Sequence, residues 1–116
     1  MPDFRNKEGQ PLSMDSGTYE GTTTASYATA LEWSTADIQE KTILLKNEHA
    51  STTIYFKLLG YMSEDGNAQE IVAETSLAGA TTAEFRYKRF WYKLVLQVKN
   101  NSGSADYQVD WSGIPV

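Results

Sequence analysis

The stretch Ala83-Glu84-Phe85-Arg86-Tyr87-Lys88 alternates an apolar or aromatic residue with a charged one at every step. A period of two places the first set of side chains on one face of an extended strand and the charged set on the other face. The pattern therefore predicts a β-strand with one buried face. It is the clearest alternation in the chain, and weaker versions of it extend in both directions.

Six further segments between Tyr27 and Trp111 show a similar pattern, and clusters of Gly, Asn, Asp and Ser separate them. The turn Ser63–Asn67 and the loop Asn100–Ser104 are predicted to close hairpins. The sequence thus predicts an all-β fold, a single antiparallel β-sandwich of about seven strands, immunoglobulin-like or jelly-roll-like. The inward positions that the alternation assigns include Leu31, Trp33, Ile43, Leu45, Ile54, Phe56, Leu58, Phe85, Leu94, Leu96, Val98, Val109 and Trp111.

The 116 residues are enough for one domain, which we place at residues 27–116. Residues 1–26 are mostly polar and are predicted to form an extended N-terminal arm, in which Phe4 and Tyr19 are isolated aromatic residues able to dock on a neighbouring surface. A short helical signal at Ser34–Glu40 resembles a helix N-terminus of one or two turns.

Composition and charge exclude several classes of function. With 10 basic and 15 acidic residues the net charge is -5, which argues against binding nucleic acid through phosphate neutralisation. The absence of cysteine excludes disulfides, thiolate nucleophiles and Cys-based zinc sites. No apolar stretch is long enough for a membrane span or a signal peptide, so we expect no membrane association. Five bases and no acid lie in residues 86–99, whereas five acids and no base lie in residues 58–85.

Catalytic and metal chemistry find little support in the sequence. The single histidine, His49, lies in a polar loop without a nucleophile motif. The oxygen-bearing side chains of Glu64, Asp65, Asn67 and Glu70 could suit calcium, but their spacing does not match an EF-hand loop, and the chemistry of a solvated hairpin turn explains the same residues. We therefore expect no enzyme, no catalytic residue, no cofactor and no metal.

Basic and aromatic residues alternate most densely from Arg86 to Lys93. Such a segment could stack on nucleic-acid bases, but exposed Trp, Tyr, Phe and Arg also anchor protein interfaces, and the acidic net charge favours a protein partner. A carbohydrate site that uses Tyr55, Tyr61 and Trp91 is a separate alternative. The residues predicted to contact a partner are Phe4, Tyr19, Arg86, Lys88, Arg89, Phe90 and Trp91.

The order of segments resembles that of small accessory virion proteins of tailed bacteriophages, especially capsid decoration or cement proteins. The resemblance rests on a Ser/Thr-rich arm, a cysteine-free acidic β-sandwich, and the phrases Thr42–Asn47, Leu77–Phe85 and Tyr107–Trp111. It implies a virion protein, assembled in the host cytoplasm, that binds the major capsid protein or other virion proteins, often as a trimer. A tail or neck structural protein and a carbohydrate-binding module are the alternatives.

Overall fold

The computed structural model describes residues 15–115, which form eight β-strands and, within that range, no helix. The strands are β1 (Asp15–Thr22), β2 (Ala28–Ser34), β3 (Ile38–Asn47), β4 (Ile54–Tyr61), β5 (Gln69–Leu77), β6 (Thr82–Tyr87), β7 (Lys93–Lys99) and β8 (Asp106–Pro115). It follows that no helix in this part of the chain could cross a membrane.

The strands form two antiparallel sheets of four strands each. The first sheet has the order β1-β8-β3-β6 and the second has the order β2-β7-β4-β5. The chain runs as one long hairpin with its tip at β4–β5, so that β3 pairs with β6, β2 with β7 and β1 with β8. This long hairpin then folds over itself, which adds the pairs β3–β8 in the first sheet and β4–β7 in the second. This is the jelly-roll arrangement. The predicted all-β sandwich is confirmed, and of its two named forms the jelly roll applies.

Residues 15–115 form eight strands, one more than the seven predicted. The additional strand is β1, which lies in the segment assigned to the arm and pairs along its whole length with β8. Apolar alternation does not reveal it, because two of its inward positions are Gly17 and Gly21. Residues 1–14 lie outside the described part of the chain.

Large aromatic side chains of β8 occupy the space that the glycines of β1 leave open. A Cβ atom on Gly17 would lie 2.4 Å from Cζ2 of Trp111, and one on Gly21 would lie 2.6 Å from the hydroxyl oxygen of Tyr107. In addition, Trp33 Nε1 donates a hydrogen bond of 2.7 Å to Asp15. The strand is thus attached through the rings of its neighbours rather than through apolar side chains of its own.

Two local predictions change once the sheets are known. The loop Asn100–Ser104 leads from β7 in the second sheet to β8 in the first, so it is a crossover and not a hairpin. The segment Ser34–Glu40 contains a turn, closed by a bond of 3.1 Å from Ile38 N to Thr35 O, and then enters β3 instead of a helix. The predicted hairpin at Ser63–Asn67 is confirmed, since it joins β4 to β5.

The core lies between the two sheets. The predicted inward residues Leu45, Ile54, Leu58, Leu94, Leu96, Val98 and Val109 are fully buried. Phe56 of one sheet and Phe85 of the other meet edge to face, with ring centroids 5.3 Å apart. Trp111, predicted to be largely buried, is only partly buried, because it packs beneath the edge strand β1.

Candidate protein-binding surface

Residues 88–92 connect β6 to β7 and turn the chain from one sheet to the other; we refer to them as the β6–β7 corner. Lys88 and Arg89 are exposed, and Phe90 next to them is 48% exposed. Aromatic residues and Arg are enriched among the anchors of protein interfaces, which makes Phe90 and Arg89 candidates for such anchors. Three of the residues predicted to bind a partner therefore lie together on the surface.

Hydrogen bonds from two buried side chains hold this corner in place. Lys41 Nζ donates to the carbonyl oxygen of Arg89 at 3.0 Å, and Thr35 Oγ1 donates to that of Trp91 at 2.6 Å. The backbone nitrogen of Thr35 also donates to the carbonyl oxygen of Tyr92 at 2.9 Å. A loop fixed in this way loses little conformational entropy when it binds, so the corner presents Phe90 in a preorganised form.

Trp91 does not lie on the surface, which corrects its assignment as a partner-contacting residue. It is 7% exposed and packs where Gly60 of β4 leaves room: a Cβ atom on Gly60 would lie 2.6 Å from Cε3 of the indole. Alternation cannot decide between adjacent aromatics at a corner, where the period of two ends. Here Phe90 points outward and Trp91 inward, and Trp91 anchors the corner to the core.

Lys41 is a structural component of the corner that sequence reasoning missed. It occupies an inward position of β3 and is 1% exposed, and burial lowers the pKa of its ammonium group. Its neighbour across the strand pair is Tyr87, whose pKa burial raises. The alternation Lys41, Ile43, Leu45 could have placed Lys41 inside, but its charge argued for solvent.

The outer side of β6 carries exposed ion pairs next to the corner. Arg86 Nε lies 3.2 Å from Glu84, and Lys88 Nζ lies 3.5 Å from Glu40 of β3. These side chains border an open groove of about 530 Å³ lined by Glu40, Lys41, Thr42, Arg86, Tyr87 and Lys88. Exposed pairs of this kind contribute about 0–1 kcal/mol, so Arg86 and Lys88 can exchange them for a partner's carboxylates at little cost.

The ion pairs also clarify the uneven charge along the chain. Arg86 and Lys88 pair as described, and Lys93 lies 3.9 Å from Glu32 of β2. Three of the five bases in residues 86–99 therefore have carboxylate partners within the chain, and one of these partners, Glu84, belongs to the acidic residues 58–85.

A nucleic-acid stacking surface does not form along this segment. Of the four aromatic residues between Arg86 and Lys93, Trp91 is buried, Tyr87 and Tyr92 are half-buried, and Phe90 alone is exposed. Stacking on single strands uses several exposed rings along a cationic groove, and this geometry does not provide them.

The other predicted contact residues are not part of the corner. Tyr19 is 47% exposed on β1, with its ring 6.2 Å from that of Tyr107. Because β1 and β6 are opposite edges of the first sheet, they lie about 14 Å apart at the usual strand spacing of about 4.8 Å. Phe4 lies outside the described residues.

The three aromatic residues proposed for a carbohydrate site do not lie side by side on one face of the sandwich. Tyr55 and Tyr61 share the outer face of the second sheet, but six residues of strand separate them by about 20 Å. Lys93 Nζ lies 4.5 Å from the ring centroid of Tyr61, and Lys99 Nζ lies 5.8 Å from that of Tyr55. Since Trp91 is buried, the three rings do not form one stacking surface.

The remaining candidates are explained by loop structure. His49 Nδ1 accepts hydrogen bonds from the backbone nitrogens of Ser51 at 3.1 Å and Thr52 at 2.9 Å, so the imidazole organises the β3–β4 loop. Within residues 15–115, no group of three or more His, Asp or Glu side chains is arranged to hold a metal ion, and this range includes the turn with Glu64, Asp65 and Glu70.

Comparison with known proteins gives a fold and no family. No protein-family model matches the chain, and no curated protein matches it at a significant level. Among solved structures, a Yersinia pseudotuberculosis-derived mitogen is similar with a TM-score of 0.59 and 15% identity, over 86% of each chain. A structure of Bacillus endospore appendages, described as disulfide-linked pili, has a TM-score of 0.56 and 14% identity, over 90% of this chain and 89% of that one. The SPBc2 prophage-derived protein YomS has a TM-score of 0.51 and 13% identity, over 86% and 95%.

Identities this low establish a shared fold alone. A mitogen, a pilus and a prophage protein are different kinds of protein, so the fold does not select a function. The disulfide linkage named for the pili has no counterpart here, because this chain contains no cysteine.

Proposed function

We propose that this protein is a non-enzymatic structural protein of a virion, a capsid decoration protein that binds the outer capsid surface and stabilises contacts between coat subunits. The β6–β7 corner is the surface that docks, and the major capsid protein is the partner. The protein acts as a homo-oligomer, with a trimer as the expected form. A tail or neck structural protein is the second candidate, since the same docking surface serves either location.

The observation that carries this proposal is the preorganised corner, in which Phe90 stands exposed next to Lys88 and Arg89 in the chain. An apolar socket bordered by carboxylates on the partner would bury the ring and pair with Arg89 and Lys88. The jelly roll is common among viral capsid domains, which supports the choice of a virion over other assemblies. The similarity in fold to a prophage protein and to a pilus is compatible with a structural role, although the fold by itself does not select one.

The first experiment asks whether the chain belongs to particles. Purified virions from the source of the sequence are analysed by quantitative mass spectrometry, and we expect the protein at a fixed stoichiometric ratio to the major capsid protein. A protein found only in the soluble fraction, or on cell-wall glycan, would contradict the proposal.

The second experiment tests the corner with a matched pair of charge reversals. Arg89→Glu should weaken attachment to particles that lack the protein by about 30-fold, the effect of an interface residue worth about 2 kcal/mol. Lys46→Glu is the control, because Lys46 is exposed on β3 outside the corner and should leave attachment unchanged. Attachment of the wild type should also weaken from physiological salt to 1 M, as the Debye length falls from about 8 Å to about 3 Å. Equal effects of the two substitutions would exclude the corner as the docking surface.

A further inference from the structure

The jelly roll leaves four sheet edges, β1 and β6 in the first sheet and β2 and β5 in the second. An open edge offers unpaired backbone groups to any extended chain, and natural proteins protect edges with bulges, charges, proline or short strands. The four edges of this protein differ sharply in that protection.

Three of the edges carry such devices. The pairing of β2 is interrupted by a register shift between Thr29 and Leu31, and the pairing of β5 with β4 is interrupted twice. The strand β6 has only six residues, and two of them, Glu84 and Arg86, are charged and exposed.

The edge β1 carries almost none of them. All eight of its residues pair with β8 in unbroken register, and it contains no Lys, Arg or Pro. Its carboxylates are Glu20 and Asp15, and Asp15 is already engaged by the indole of Trp33. Among residues 15–115 no strand pairs with its outer side, so this edge is long, regular and open to strand addition.

We propose that β1 pairs antiparallel with β1 of a second copy of this chain, across a twofold axis at Thr18. This interface goes beyond the proposed function, which uses the β6–β7 corner. It joins the first sheets of two copies into one continuous sheet of eight strands, and it links two protomers whatever further symmetry the assembly has.

The side chains of β1 favour this partner and this register. With Thr18 opposite Thr18, Tyr19 of each copy lies opposite Gly17 of the other, so each half-exposed ring lies beside a residue that has no side chain of its own. The indole of Trp111 already lies against Gly17 and extends the apolar contact. Glu20 falls opposite Ser16, so no two carboxylates face each other.

Cysteine cross-linking tests the pairing directly, because the 116-residue sequence contains no cysteine of its own. Directly opposite residues of antiparallel strands have Cα atoms about 4.5–5.5 Å apart, within the range for a disulfide. We expect Thr18→Cys to give a disulfide-linked dimer on a non-reducing gel under mild oxidation. Glu20→Cys, which is also exposed on the same strand, should not, because its two copies would lie about 14 Å apart. Cross-linking at neither site, or equally at both, would overturn the proposal.

A charge introduced at the axis provides an independent test. Thr18→Lys places two ammonium groups opposite each other, and within one chain it can pair with Asp110, the present hydrogen-bond partner of Thr18. We expect the mass measured by sedimentation velocity to fall by a factor of two with the fold intact by circular dichroism. Thr82→Lys makes the same change on the opposite edge of that sheet and should leave the mass unchanged. If Thr18→Lys keeps the wild-type mass, β1 does not pair with a second copy. Residues 1–14 or another protein are then the candidates for covering this edge.

Discussion

Replacing Trp91 tests whether the indole attaches the β6–β7 corner to the core while Phe90 remains free to bind. Trp91 is 7% exposed and Phe90 48%. Truncating a buried aromatic residue to Ala costs about 3–5 kcal/mol, because apolar surface is lost from the interior and a cavity remains. We expect Trp91→Ala to lower the free energy of unfolding by that amount and Phe90→Ala to lower it by less than about 0.5 kcal/mol.

A third variant separates ring volume from hydrogen bonding. The indole Nε1 is buried without a hydrogen-bond partner in residues 15–115, so Trp91→Phe removes an unpaired donor while it keeps most of the apolar contact. We therefore expect Trp91→Phe to cost less than about 1.5 kcal/mol. The measurement is urea denaturation of the three variants with equal m-values as the condition for comparison. The reasoning fails if Phe90→Ala costs as much as Trp91→Ala, or if Trp91→Ala costs less than about 1 kcal/mol.

Two further predictions concern the core and the buried lysine. Leu96 is fully buried and pairs with Leu31 on one side and Leu58 on the other. We expect Leu96→Ala to lower the free energy of unfolding by about 2–5 kcal/mol in the same assay, and an unchanged stability would refute the register of β7. Burial lowers the pKa of Lys41 below its ordinary 10.5, so the unfolded chain binds more protons between the lowered value and 10.5. The free energy of unfolding of the wild type, measured relative to that of Lys41→Met, should therefore rise as the pH rises through that interval. If this difference does not depend on pH, Lys41 has the same pKa in the folded and the unfolded chain and the prediction is wrong.

The sequence predicts the central strands well because their burial leaves a direct pattern. β4 alternates buried and half-buried residues at every position, which a strand with one face in the core must do. β1 escapes the same reasoning, since its inward glycines receive the rings of Trp111 and Tyr107 and so carry no apolar signal. The sequence also does not show which loops cross from one sheet to the other. A loop with the composition of Asn100–Ser104 can close a hairpin within one sheet or connect two sheets.

The candidate site was predictable in its chemistry but not in its orientation. Composition identifies a basic and aromatic segment, and the structure places Lys88, Arg89 and Phe90 of that segment on the surface. Whether Phe90 or Trp91 turns inward depends on the cavity at Gly60, which belongs to β4 and is distant in sequence. The support from Lys41 likewise depends on a contact between residues 48 positions apart.

The proposed docking corner and the proposed pairing edge can act together because they lie on opposite edges of the first sheet. Pairing through β1 leaves the corner of each copy exposed, so a pair of chains presents two Phe90 side chains to a surface that repeats its binding site. When both corners engage at once, the second contact is intramolecular and the attachment exceeds either contact alone, provided the spacing of the two corners matches that of the sites. A disruption of β1 pairing would then weaken attachment to a particle although no residue of β1 touches it.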